Sequence, residues 1–314
     1  MAALHSLIGG LPADLKAAVL IVMHIPVHTP TALDRILNRA GPLPVKLAED
    51  GEALTTGVIY VAPADRHLVI ESERIRLTRG PRENRVRPCI DVLFRSAALA
   101  FGPRVIGVVL TGMLDDGTAG LWAIKDRGGL TLVQCPEDAQ HAGMPESALK
   151  HVVIDRTLPL SAMAQVLTQL THEPLVTTAA SRPSESLMLE TKIAVEGNAL
   201  KRGVMNMGEI SPNSCPECHG VLVRLREGSI VRYRCHTGHA YSLKTLLSEI
   251  DEAIDASLWN AIGAIEERAL VLREMEALSD RGREDAQDMA VEAECRAQRI
   301  RDLVVDKTDR NVQL

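Results

Sequence analysis

The sequence predicts an α/β fold: a doubly wound, mostly parallel sheet in a Rossmann-like three-layer arrangement, followed by a small zinc-ribbon-like module and an α-helical hairpin. Three observations predict it. Short apolar runs alternate with amphipathic segments through residues 1–171, the pattern of strands each followed by a covering helix. Two cysteine/histidine groups flank a short alternating hairpin in residues 213–242. From Leu243 to about Val305 apolar positions recur with a helical period, with one clear break at Ser279-Asp280-Arg281-Gly282.

Taken in order, Ala2–Leu15 is expected to be helical, with Gly9-Gly10 at its end as a C-cap. Strands are expected at Val19–Met23, Val45–Leu47, Val58–Val61, Val105–Leu110, Leu130–Val133 and Val152–Ile154, where β-branched and aliphatic residues run together. Helices are expected at Thr31–Arg39, Ile90–Phe101, Thr118–Asp126, Glu146–His151 and Ser161–Leu170. His67–Thr78 alternates and turns at Glu71–Glu73, which predicts a β-hairpin. Residues 172–212 are expected to be a partly ordered linker, because 172–186 are rich in Ser, Thr and Pro. Residues 243–314 form the hairpin, with a first arm of about 30 residues by periodicity. Its positions Ala253, Leu258, Ile262, Ile265, Leu270 and Leu272 are expected to pack the two helices together.

Composition excludes several classes. With 46% hydrophobic residues the 314-residue chain can bury a sizeable core, but aromatics are only 2%, too few for a base-stacking platform. A net charge of −6 also argues against nucleic acid as a partner. The longest apolar stretch, Ala17–Met23, is strand-sized, so no membrane insertion is expected. The first residues lack a basic region and a long apolar core, so a cytoplasmic protein is expected.

Cys215-Pro216-Glu217-Cys218 and Cys235-His236-Thr237-Gly238-His239 sit at the two ends of a hairpin formed by Gly220–Leu225 and Ile230–Arg234. Two cysteines two residues apart make a tight knuckle, and the far pair completes a tetrahedral site. The expected ligands are Cys215, Cys218, Cys235 and His239, with His236 as the competing fourth ligand. Cys-x3-His spacing leaves room for a turn, whereas adjacent ligands rarely reach one metal. Four protein ligands close the site, so zinc is expected in a structural role, with no cofactor for catalysis. Chelation is expected to loosen residues 213–242 without stopping catalysis. The local arginines Arg224, Arg226, Arg232 and Arg234 are expected to form a solvated face.

Sites in open α/β sheets form at the carboxyl ends of strands. His24 follows one such end and Asp115-Asp116-Gly117 another. A histidine and an aspartate so placed fit the base and orienting acid of a hydrolase. Two plainer readings stand beside this one: a hydrogen-bonded strand-end histidine, and an Asp116 that caps the following helix, with Asp115 competing for both roles.

Four stretches together resemble the catalytic domain of the chemotaxis protein-glutamate methylesterases: Leu110-Thr-Gly-Met-Leu-Asp-Asp-Gly117, Glu83-Asn-Arg-Val-Arg-Pro-Cys-Ile-Asp-Val-Leu-Phe-Arg-Ser-Ala97, Tyr60-Val-Ala-Pro63 and Gly143-Met-Pro145. The resemblance covers residues 1–171. It implies hydrolysis of glutamate methyl esters on methyl-accepting chemoreceptors, with a related glutamine deamidation, by a Ser-His-Asp triad. The histidine falls on His24 and the aspartate on Asp116; Gly112, Met113 and Arg87 are assigned to the substrate wall. The family usually has Gly where this chain has Leu114, a departure that matters because Gly adopts backbone angles that Leu resists. The appended Cys/His module and helical tail resemble those of some relatives that lack a phosphoryl-receiver domain.

The implied serine lies in a Gly-x-Ser-x-Gly-Gly turn after a first strand. Residues 1–15 correspond to the helix after that turn; Ser6 falls inside the helix and Gly9-Gly10 at its end, so neither supplies the nucleophile. The expectation is a truncated sequence whose start lies upstream; the alternative is a catalytically inactive interaction protein in a chemotaxis-like signalling pathway.

Overall fold

The computed structural model describes residues 1–25, 32–174, 182–278 and 283–311, the side chains of 283 and 306–311 excepted. The Ser279–Gly282 break and Thr31 lie outside the described residues. The chain divides into two compact units, Met1–Leu246 and Leu247–Leu314.

In the first unit α1 (Ala2–Gly9) leads to β1 (Val19–Ile21), α2 (Leu33–Leu37), β2 (Val45–Leu47) and β3 (Ile59–Val61). These three strands form a parallel sheet in the order β1-β3-β2. The hairpin β4 (His67–Glu71) and β5 (Arg74–Thr78) turns through Ser72 and Glu73, both left-handed. After α3 (Ile90–Phe101), β6 (Ile106–Val109), α4 (Thr118–Asp126), β7 (Leu130–Gln134), α5 (Gly143–His151), β8 (Arg156–Leu158) and α6 (Leu160–His172) build a second parallel sheet, β6-β7-β8. Strand–helix alternation thus gives parallel sheets flanked by helices, because a parallel strand pair needs a crossover that covers a sheet face. Leu7, Ile8 and Leu11 from the α1 region pack with Ile21, Ile59, Leu37 and Met163 on one side. Ala97, Leu93 and Tyr60 pack with Leu68 and Ile75 on another.

Two local expectations are corrected. Val152–Ile154 is not a strand: Val152 closes α5, Val153 is 73% exposed, and pairing with β7 begins only at Asp155, whose N–H donates to Thr131 O. The apolar run misled because Val152 alone of the three is buried. Gly9 and Gly10 do end α1, but Gly10 keeps a right-handed backbone. Both are small because space is short: a Cβ would lie 2.9 Å from Ala40 O at Gly9 and 2.7 Å from Ala164 Cβ at Gly10.

Residues 182–212 fold against the preceding sheets. α7 (Glu185–Glu196) starts at Ser184, whose Oγ accepts the Leu187 N–H, and ends at left-handed Gly197. Ala194 packs with Val69, Cys89 and Val92, and Thr78 Oγ1 donates to Ala194 O at 2.7 Å. Next come β9 (Glu209–Ser214), β10 (Val221–Glu227), β11 (Ile230–Cys235) and β12 (Ala240–Ser242), an antiparallel sheet in the order β12-β11-β10-β9. Arg232 and Arg234 are not a solvated face. They are 4% and 0% exposed, and both bind Glu190 of α7. Alternation along β11 hid this, because Arg232 and Arg234 share the face that meets the fold.

α8 (Leu243–Leu278) and α9 (Arg283–Asn311) are longer than the period alone predicts. In the second unit the buried seam is Ile262, Ala269 and Leu272 with Ala286, Ala290, Ala293, Ala297 and Val304. Ala253 and Leu270, both expected in the seam, are exposed, Leu270 by 66%. The small alanines allow close helix approach. No described helix is long and apolar enough to cross a membrane.

Candidate functional site

His24 follows β1 and Asp116 follows β6, and the fold brings them together. His24 Nε2 lies 2.7 Å from Asp116 Oδ2. The His24 side chain is 35% exposed and that of Asp116 4%. With Nε2 engaged, Nδ1 is the ring nitrogen left to take a proton from a nucleophile.

Asp116 is held as an anion. Burial alone would push its carboxyl up, but the hydrogen bond and charge of His24 and the Ile90 N–H hold it well below the ordinary range. The Ile90 and Asp91 N–H groups at the start of α3 donate to it at 2.8 and 3.2 Å. Gly117 N–H, the Cys89 thiol and the Asn84 amide add three more bonds. Asp116 therefore caps α3, not the helix that follows it, and the α3 N-terminus stabilises its charge. Asp91 does the reciprocal job, accepting the Gly120 N–H of α4 at 2.6 Å. Burial first, and the Asp116 charge second, push Asp91 up to about 7. Asp115 turns away and accepts a bond from Ser242 Oγ at 2.7 Å, so of the two aspartates Asp116 is the one that meets His24.

Burial alone would push the His24 imidazole down. The hydrogen bond and charge of Asp116, with the Asp91 charge behind it, outweigh this and raise it above 6.5.

The wall residues sit as follows. Gly112 N–H donates to His141 O, Gly112 O accepts from Met144 N–H, and a Cβ at Gly112 would overlap the Met144 side chain. Met113 is 71% exposed. Arg87 is engaged by Asp65 at 2.6 Å and by Gly80 O at 2.7 Å. Leu114 adopts the left-handed backbone, φ 60°, that a glycine would take without cost. Leu114→Gly is expected to raise stability by about 1 kcal/mol, the left-handed penalty less the added chain entropy. An unchanged melting temperature would show that the loop carries no such strain.

Among the described residues β1 pairs with β3 and β6 with β7, while a cavity of about 990 Å³ lies between the two sheets. It is lined by Val19–His24 of the β1 segment and by Ile106, Val108, Val109 and Leu110 of the β6 segment, so His24 stands at its rim. Ser6 is exposed on α1.

The second candidate site is the cysteine/histidine cluster. One ligand atom each from Cys215, Cys218, Cys235 and His239 lies within 4.8 Å of the others. Cys218 Sγ–Cys235 Sγ is 3.7 Å, and His239 Nδ1 is 3.7 and 3.6 Å from Cys215 and Cys235 Sγ. Tetrahedral bonds of about 2.3 Å to sulfur and about 2.0 Å to nitrogen give edges of about 3.5–3.8 Å. The donors therefore fit a tetrahedral ion. His236 is outside the cluster; its ring lies over Gly220, where a Cβ would overlap it. Glu217 lies 3.4 Å from His239 Nε2, the kind of carboxylate that orients a ligating imidazole.

Sequence reasoning found His24, Asp116 and the cluster. It missed Asn84, Cys89 and Asp91 as partners of Asp116, although all three lie in the Glu83–Ala97 stretch that carried the resemblance.

A family model described as CheB methylesterase matches residues 1–167. The chain is 38% identical over 176 residues to a protein-glutamate methylesterase/protein-glutamine glutaminase of Methanosarcina mazei, covering 54% of this chain and 48% of that one. It thus spans about half the length of that relative. A putative protein-glutamate methylesterase/protein-glutamine glutaminase of Leptospira interrogans is 37% identical, with 90% of its length covered. The solved CheB methylesterase catalytic domain of Thermotoga maritima superposes with a TM-score of 0.52 at 32% identity, covering 54% of this chain and 92% of that one.

Proposed function

The chain belongs to the CheB methylesterase family, and on that premise we propose that it hydrolyses glutamate methyl esters on methyl-accepting chemoreceptors, with glutamine deamidation as the related reaction. The observation that carries the proposal is the His24–Asp116 pair, a 2.7 Å contact to a buried, fully hydrogen-bonded carboxylate.

In this reading His24 Nδ1 takes the proton of a serine hydroxyl as that oxygen attacks the ester carbonyl. Asp116 holds the ring orientation and stabilises the imidazolium. His24 then returns the proton to the departing methoxide, releasing methanol, and water repeats the sequence on the acyl-enzyme. The nucleophile of this reading is a serine in a strand-to-helix turn of the Gly-x-Ser-x-Gly-Gly kind, and the cavity beside His24 is where its ester substrate would meet the pair. Gly112 and Met113 form the exposed wall beside the pair. Arg87, the third wall residue of this reading, is held by the Asp65 carboxylate and Gly80 O.

The test is methanol release from a methyl-esterified receptor by protein purified from its own cells. Release that depends on His24 supports the proposal. A well-folded protein that binds receptor without releasing methanol is the result expected of the inactive interaction protein.

The cysteine/histidine cluster holds one zinc ion in a structural role. Cys215, Cys218, Cys235 and His239 supply all four ligands, so no position is open for substrate. Metal analysis should give one zinc per chain. His236→Ala should retain it and Cys235→Ala should lose it; the opposite pattern would make His236 the ligand.

A further inference from the structure

The cysteine/histidine module forms part of the wall behind Asp116. β12 begins one residue after His239 and pairs with the turn that carries Asn84. Ala240 N–H donates to Arg82 O at 3.2 Å, and Asn84 N–H donates to Ala240 O at 2.8 Å. Ser242 N–H donates to the Asn84 side-chain Oδ1 at 2.9 Å. That bond fixes which way the amide faces. Its Nδ2 then donates to Asp116 Oδ1 at 3.2 Å and to Asp91 Oδ2 at 3.1 Å.

Only an amide satisfies this position, since one N–H must be accepted and two carboxylates served. The turn itself is costly: Asn84 and Arg85 both have left-handed backbones, φ 50° and 67°. Asparagine takes this region more readily than arginine, and two such residues in succession persist where the surroundings hold them. β12 imposes it. A second tie reaches the same turn, since Arg234, the residue before Cys235, donates to Glu83 at 2.8 Å and to Gly238 O at 2.8 Å.

We propose that Asn84 is a positioning residue for Asp116, and that zinc in the Cys215–Cys218–Cys235–His239 site holds Asn84 in place through β12, making the appended module a metal-dependent clamp on the His24–Asp116 pair. The clamp rests on the reading of that pair given above. Zinc remains structural, yet its loss reaches the catalytic pair. Removing it frees the Cys235–His239 loop, β12 loses its anchor, the turn relaxes, and Asp116 is released from the orientation that meets His24. Loosening of residues 213–242 alone is therefore not the expected result of chelation.

The test follows the His24 ring by NMR titration in the intact protein, with zinc content measured in each sample. The charged groups facing His24 are Asp116 and, behind it, Asp91. Zinc-loaded protein should titrate above 6.5 at His24. Chelation should lower that value, and added zinc should restore it. Asn84→Ala should titrate low with zinc bound and not respond to chelation.

The control is amide exchange along β6 and β7, which pair with each other from Ile106–Leu130 to Val109–Val133. It should stay unchanged throughout. A zinc-free protein with unchanged His24 titration overturns the clamp. So does an Asn84→Ala protein that still responds to zinc, or exchange in β6 and β7 that rises with the His24 change and reveals general unfolding. If Asn84→Ala does not fold, the zinc dependence of the unsubstituted protein decides. Failure to hydrolyse esters would sink the proposed function and leave this titration result standing, so the two can be told apart.

Discussion

His24→Ala is expected to lower turnover of glutamate methyl esters by about 10³-fold or more, with little change in stability. The two parts of this expectation have separate causes. The imidazole meets Asp116 through one ring nitrogen and keeps the other for the serine proton, so its removal strands that proton. Its side chain is 35% exposed, so little packing is lost. Asp116→Ala would make a less clean test. Besides orienting His24, Asp116 accepts N–H bonds from Ile90, Asp91 and Gly117, and its loss would uncap α3. The pH profile carries an independent check. A general base works only when unprotonated, and the His24 value lies above 6.5. Activity should therefore rise with pH through a midpoint above 6.5. A midpoint well below that value would mean that Asp116 does not hold the ring.

Glu190→Ala is expected to cost about 3–5 kcal/mol of stability, measured by urea denaturation. Glu190 is fully buried and binds Arg232 through both carboxylate oxygens, at 2.9 and 2.6 Å, and Arg234 at 2.9 Å. Its Oε2 also lies 3.7 Å from Arg95 Nε. Glu83, paired with Arg95 and Arg234, is the other buried carboxylate of the group. Removing Glu190 leaves three buried guanidinium groups facing Glu83 and the half-buried Glu227. Desolvation, not the loss of one attraction, makes the cost large, because the unmatched charges have no water to turn to. A loss under about 1 kcal/mol would show that water enters the cluster.

Residues acting through local pattern were legible in the sequence. α3 and α4 begin and end where periodicity places them, and β2 has its expected bounds. The pairing of His24 with Asp116 rested on the resemblance; strand ends alone left Asp115 in competition and the plainer readings open. The Cys215, Cys218, Cys235 and His239 cluster was legible because knuckle spacing is a local constraint. What was hidden depends on distant pairing. Glu190 lies 42 residues from Arg232, in a segment whose flanks look like a linker, and no local signal marks a carboxylate that will be buried. Asn84 reaches Ser242 across 158 residues. Cys89 and Asp91 flank the start of the Ile90–Phe101 helix, and only the fold turns them toward Asp116.

The central claim, that His24 and Asp116 serve a serine nucleophile, is tested most directly by labelling. Protein isolated from its own cells would be treated with a fluorophosphonate probe, then digested and sequenced by mass spectrometry. The account predicts one adduct, on a serine in a Gly-x-Ser-x-Gly-Gly turn, lost in His24→Ala. An adduct on Ser6 or any other serine of this sequence, or no adduct on a folded protein, would contradict it.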